Sequence, residues 1–162
     1  MRVGVISDTH GLLRPEALAA LRGAEHLLHA GDVGHPDVLQ GLRALAPLTV
    51  IRGNVDEPEA VRRSRRRNKP AEDWARELPD AVTVTLAGVR VHLVHDRSAL
   101  AAPPDAQVVV SGHSHQPSIE RSDGVLYLNP GSAGPRRFRL PITVAWLDLG
   151  AEPAAEIVEL AV

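Results

Sequence analysis

Five short clusters of ligand-capable residues punctuate the chain. They are Asp8 and His10 in DTH, Asp32 after Gly31, Asn54 in GNVD, His95 before Asp96, and His113 with His115 in GHSH. Imidazole, carboxylate and amide donors in combination suit divalent transition ions such as Mn, Fe, Co, Ni or Zn. Seven such donors are too many for one ion and suit two ions that share a carboxylate. Two histidines one residue apart can each reach a different ion. Asn54, His113 and Asp56, which closes the GNVD cluster, are the candidate catalytic residues. Singly, each cluster has a plainer explanation: Asp or Asn before a helix is often an N-cap, and glycine after a strand often only turns. All five in one order, each following a strand, point to a site.

The elements that must position these residues are legible as alternating apolar runs and helical periods. Residues 2–7, 26–30 and 48–52 read as strands, and 15–22 and 36–45 as helices with proline at their starts. This β-α-β-α-β order implies parallel pairing with right-handed crossovers. After residue 80 the texture becomes strand-rich. Residues 81–86 and 89–94 flank a turn at Ala87-Gly88 and read as a hairpin. Residues 107–111, 117–121, 125–129, 142–149 and 154–162 complete two sheets packed face to face, with helices outside the parallel part. Each polar cluster then falls at the carboxyl end of a strand, the edge where open α/β sheets place their sites.

Residues 57–79 stand apart, and two short helices broken at Lys69-Pro70 are expected there. The basic run from Arg62 to Lys69 carries six positive charges. Such a run could hold phosphate or nucleic acid. The plainer reading is a solvated helix face whose charges suit the helix dipole.

The totals bound the answer. A chain of 162 residues is one domain, expected to span 1–162, and its core must be aliphatic because aromatics are only 2%. Without cysteine, disulfides, thiolate nucleophiles and Cys-based zinc sites are excluded. The amino terminus runs at once into a strand-like VGVIS, too short for a signal peptide or a membrane span. A cytoplasmic protein with no membrane partner is expected.

With these residues in this order the chain resembles the calcineurin-like metallophosphoesterase superfamily, whose pattern is D-x-H, G-D, G-N-H-D/E, H and G-H-x-H. Asn129-Pro130-Gly131-Ser132 is similar to the NPGS element of the small YfcE-like phosphodiesterase branch. The resemblance implies an α/β fold, a four-layer α/β/β/α sandwich with two packed mixed β-sheets. It implies one ion held by Asp8, His10, Asp32 and His115, and another held by Asp32, Asn54, His95 and His113. Mn is the expected metal, with Fe, Ni, Co and Zn as alternatives. A hydroxide shared by the ions would attack phosphorus in a small phosphodiester or phosphomonoester, without a covalent enzyme intermediate, while Asn54 orients the phosphate. The alternative is a non-catalytic metal-binding scaffold similar to the retromer subunit of the same superfamily. Assembly into a homo-oligomer is left open.

Two positions depart from the pattern. The histidine of G-N-H-D/E, credited with helping the leaving group, is Val55 here, and the glycine usual after the fourth cluster is Asp96. Asp96 is expected either to orient His95 or to add negative charge at the rim. His29 is a candidate support residue behind the site, whereas His26, His35 and His92 read as surface or satisfied positions. Arg136, Arg137 and Arg139 follow the NPGS element and read as phosphate-facing or as an exposed loop.

Overall fold

The computed structural model describes residues 1–65, 74–101 and 104–162. Its strands form two five-stranded sheets. In the first, β1 (Arg2–Ile6), β2 (His26–His29) and β3 (Leu48–Val50) are parallel. Next to β1, β9 (Thr143–Asp148) runs antiparallel, and β10 (Ala154–Glu159) closes that edge. The second sheet has the order β4 (Ala81–Leu86), β5 (Val89–Val94), β6 (Val108–Val110), β8 (Val125–Asn129), β7 (Ser118–Ser122). Its three central strands are parallel and its two edges antiparallel. Both sheets are therefore mixed.

Alternation along each strand decides what each face touches. In β1, Val3 and Val5 point into the layer between the sheets, where they meet Leu28, Val91, Val108 and Leu126. Ile6 points the other way, toward Ala17 and Leu21 in and just after α1 (Pro15–Ala20), and Leu39 and Leu42 of α2 (Pro36–Arg43). Because the sheet is covered on both sides, β1 reads as a continuous apolar run. Proline stands at the start of both helices, and the His35 ring caps α2 by accepting the Asp37 N–H at 3.2 Å. The outer face of the second sheet is thinly covered among the described residues. There a 3₁₀ turn, Arg97–Ala99, sets the Arg97 guanidinium 3.9 Å from the Tyr127 ring centroid and within 2.8 Å of Glu120.

The architecture is the expected α/β sandwich. The helices are shorter than expected: α1 stops at Ala20, where the chain turns toward Gly23 at φ +90°. In the segment 57–79, α3 covers Pro58–Arg63, with Glu59 and Arg63 paired at 2.9 Å. The expected break at Lys69-Pro70 lies outside the described residues. Residues 74–77 turn rather than form a second helix, and Trp74 and Leu78 pack against the helix-side core.

Candidate metal centre

The loops leaving β1, β2, β3, β5, β6 and β8 meet at one edge of the sandwich, and backbone hydrogen bonds stitch them together. The Asp8 N–H donates to Gly31 O at 3.0 Å, His10 N–H to Asp32 O at 2.9 Å, and Gly11 N–H to Val33 O at 2.7 Å. Gly112 N–H reaches His95 O at 2.9 Å, and Ser132 Oγ donates to Asp8 O at 3.0 Å. Two glycines permit this closeness. A side chain on Gly53 would overlap Asp32, and one on Gly112 would stand 2.6 Å from Asp8 Oδ2. Five candidate ligands themselves occupy the left-handed region: Asp8 (φ 53°), His10 (47°), Asp32 (55°), His113 (67°) and His115 (61°). Such conformations are uncommon for residues with a Cβ and persist where surrounding structure enforces them.

The side chains fall into two overlapping groups. Asp8, His10 and His115 form one, and Asp8, Asp32 and His95 the other, with ligand atoms inside each group within 4.8 Å of one another. In the first, His10 Nε2 and His115 Nε2 face each other at 3.2 Å, and His115 Nε2 lies 3.2 Å from Asp8 Oδ1. Asp32 sits between the groups. Its Oδ2 is 3.7 Å from His10 Nε2, and its Oδ1 is 3.4 Å from His95 Nε2. Asp8 Oδ1, His95 Nε2 and His115 Nδ1 are buried without a hydrogen-bond partner. Buried polar atoms in native proteins are almost always partnered.

His95 shows why a cation fits here. Its Nδ1 lies 2.7 Å from Ala30 O, which can only accept, so Nδ1 carries a proton and Nε2 is the ring atom that faces Asp32 Oδ1 at 3.4 Å. Burial disfavours its charged form, yet the nearby Asp32 carboxylate overrides burial and raises the imidazole to about 9. A proton on Nε2 would thus stand where a divalent ion would bind, because both answer the same negative field. Asp32 is likewise held below the usual carboxylate range. Burial pushes it up, but the His95 imidazole and the Val55 N–H, 3.0 Å from Oδ1, outweigh that. His10 is lowered, chiefly by burial.

Asn54 and His113 stand further out, exposed on a cleft that His95 also lines. The His113 ring meets the His95 ring edge-on, with centroids 5.3 Å apart, and the His113 backbone N–H donates to Asp8 Oδ2 at 3.1 Å. Asp96 settles on His113, with Oδ2 3.8 Å from Nε2, and its Oδ1 accepts from Ser98. His95 is oriented instead by the Ala30 carbonyl. At Val55, the backbone N–H holds Asp32 while the side chain supplies no proton.

Asp56, expected among the catalytic residues, lies behind the donor groups and is held by backbone N–H groups. It is 0% exposed. Its Oδ2 accepts from Val33 N–H at 3.0 Å and Gly53 N–H at 2.9 Å, and Oδ1 accepts from Gly34 N–H at 2.8 Å. It is a staple between the loops after β2 and β3. His29 supports the same region: Gly31 N–H donates to its Nδ1 at 3.2 Å, so Nε2–H donates to Thr9 Oγ1 at 3.0 Å. Burial lowers it to about 4, which keeps this relay neutral.

Sequence reasoning missed three supports. Ser7 Oγ donates to Asp8 Oδ2 at 2.6 Å, Thr9 Oγ1 donates to Val33 O at 3.0 Å, and Asn129 Nδ2 donates to Gly112 O at 2.8 Å. The signal for Asn129 was the NPGS element itself, whose asparagine locks the GHSH loop. Arg136, Arg137 and Arg139 lie in an exposed loop, with Arg136 bonded to Leu140 O at 3.2 Å.

Buried, unpartnered carboxylate and imidazole atoms at the edge where the two sheets converge define a candidate metal centre. Residues 1–152 match the calcineurin-like phosphoesterase superfamily domain, and the chain belongs to that superfamily. A probable metallophosphoesterase of Methanothermobacter thermautotrophicus is 34% identical over 98% of this chain and 92% of its own. Among solved structures, the Yfce phosphoesterase of E. coli is 25% identical, covering 92% of this chain and 89% of that one, with a TM-score of 0.66. Vps29 of Chaetomium thermophilum is 17% identical with a TM-score of 0.72, over 99% of this chain and 96% of its own, and shares the fold.

Two outcomes follow from the strain and the staple. His113→Gly, which relieves a left-handed φ at a half-exposed side chain, should leave metal-free stability within about 1 kcal/mol of wild type, whereas His113→Val should cost about 1–2 kcal/mol. Urea unfolding checks both, and equal losses would contradict the strain account. Asp56→Asn turns an amide N–H₂ toward backbone donors and should cost about 1–3 kcal/mol in the same measurement. A neutral result would remove Asp56 from its structural role.

Proposed function

We propose that this chain is a metal-dependent phosphodiesterase that uses two divalent ions, manganese most of all, bound on either side of Asp32. The observation that carries this reading is the placement of Asp32, whose two oxygens face different donor groups at 3.7 and 3.4 Å. Asp8, His10 and His115 would hold one ion with Asp32. His95, Asn54 and His113 would hold the other with it. Two such ions when bound lower the pKa of a water and clamp the oxygens of an in-line displacement at phosphorus.

The chain's own residues do the rest. Asp32 is kept ionised by His95 and the Val55 N–H, so it remains a donor. The Ala30 carbonyl fixes the His95 tautomer, and Ser7 with the His113 N–H fixes Asp8. Asn54 lines the cleft and can donate its amide to a phosphoryl oxygen. The cleft is open, which suits a diester with groups on both sides of phosphorus. No acid stands at Val55, so general-acid help worth about 10²–10⁴-fold is absent from that position. Substrates with good leaving groups are therefore preferred.

Purified protein loaded with manganese should hydrolyse an aryl phosphodiester. Asp32→Ala should abolish turnover and lower metal content while circular dichroism remains unchanged. A wild type that binds metal yet cleaves nothing would instead favour the scaffold. Val55→His should speed an alkyl-leaving substrate more than an aryl-leaving one, by up to about 10²-fold. Equal acceleration of both would show that the missing histidine is not a missing acid.

A further inference from the structure

A cleft of about 380 Å³ leads away from the His95 and His113 side of the centre. Its walls include Ala81, Val94 and Ala99, and Glu57, Asp80 and Asp96 line it as well. None of these carboxylates belongs to either donor group, so ions at the centre would leave their charge in place. One guanidinium, that of Arg52, lines the same cleft, and it is already engaged. Its Nε donates to Asp80 Oδ1 at 2.5 Å and lies 3.8 Å from Glu57 Oε1. Among the described residues the cleft thus pairs apolar walls with three carboxylates against one guanidinium, a net of two negative charges.

We infer that this cleft receives the organic group of the phosphoester, and that it accepts an uncharged or cationic group and turns away an anionic one. The inference rests on phosphate binding at the centre described above. With the phosphate against Asn54, His95 and His113, the attached group must run past Val94, Ala81 and Ala99. Hydrocarbon there removes apolar surface from water. A negative charge at its end would approach Glu57, Asp80 and Asp96, and among the described residues lining the cleft the one guanidinium, Arg52, is already paired. Like charges at such separations repel, and they do so most at low ionic strength. A polynucleotide would bring its next phosphate to the same place. Small neutral or amine-bearing alcohols esterified to phosphate are therefore the ligand class that the cleft fits.

Three phosphate monoesters of matched length test this: phosphorylcholine, its uncharged isostere 3,3-dimethylbutyl phosphate, and 3-carboxypropyl phosphate. Titration calorimetry with the manganese-loaded protein at low salt should show the carboxylate ester binding about three- to tenfold more weakly than the other two. The gap should close in 0.5 M salt and in the Glu57→Gln/Asp80→Asn variant, whose exposed substitutions leave the core untouched. Equal affinities, tighter binding of the carboxylate ester, no binding of any ester, or a gap that survives in the variant would overturn the inference. Release of inorganic phosphate is followed in parallel, so the binding isotherms of the intact esters are read separately from any turnover. An inactive protein that ranks them as described would defeat the hydrolase reading alone.

Discussion

Asp32 holds the rest together. It sits at the end of β2, in a left-handed conformation, with its carbonyl bonded to His10 N–H and its carboxylate between two donor groups. The Val55 N–H fixes one of its oxygens, and Gly53 must lack a side chain for that loop to approach. A buried carboxylate is costly unless partnered, and imidazoles on both sides together with a backbone N–H keep this one charged. Displacing it would separate the loop after β1 from the loop after β3, and the group it forms with Asp8 and His95 would lose a member.

The fold serves that constraint. Parallel strands of both sheets end at the same edge, so residues as far apart as Asp8 and His115 come within 3.2 Å. Two aliphatic layers, one between the sheets and one beneath the helices, make that edge rigid. Rigidity allows five candidate ligands to stay in a backbone region that their side chains disfavour. Behind them, neutral groups complete the frame: Thr9, His29 and Asn129 each connect a ligand loop to its neighbour, and Ser7 holds the Asp8 carboxylate.

Much of this was legible in the chain. The strands 81–86, 89–94 and 125–129 fall where alternation and turn residues put them, because both sides of each turn carry an unambiguous pattern. The helices end early because periodicity continues past Ala20 while Gly23 has already turned the backbone. The donor residues were recognisable from their types and their position after strands. Their roles were less so. Asp56 has the chemistry of a ligand, and only burial and three backbone donors reveal it as a staple. Asp96 has no sequence mark that distinguishes His95 from His113 as its neighbour, since the choice depends on how two loops from different strands face each other. The charge of the cleft is equally tertiary. Arg52, Glu57, Asp80 and Asp96 come from three separate segments, and the pairing of Arg52 with Asp80 and Glu57 follows from contacts rather than from order.

The most direct measurement is the anomalous scattering of crystals grown with manganese. Two peaks flanking the Asp32 carboxylate, one beside His10 and His115 and one beside His95, are predicted. A single peak, or density without any ion and with these side chains turned apart, would contradict a jointly held pair.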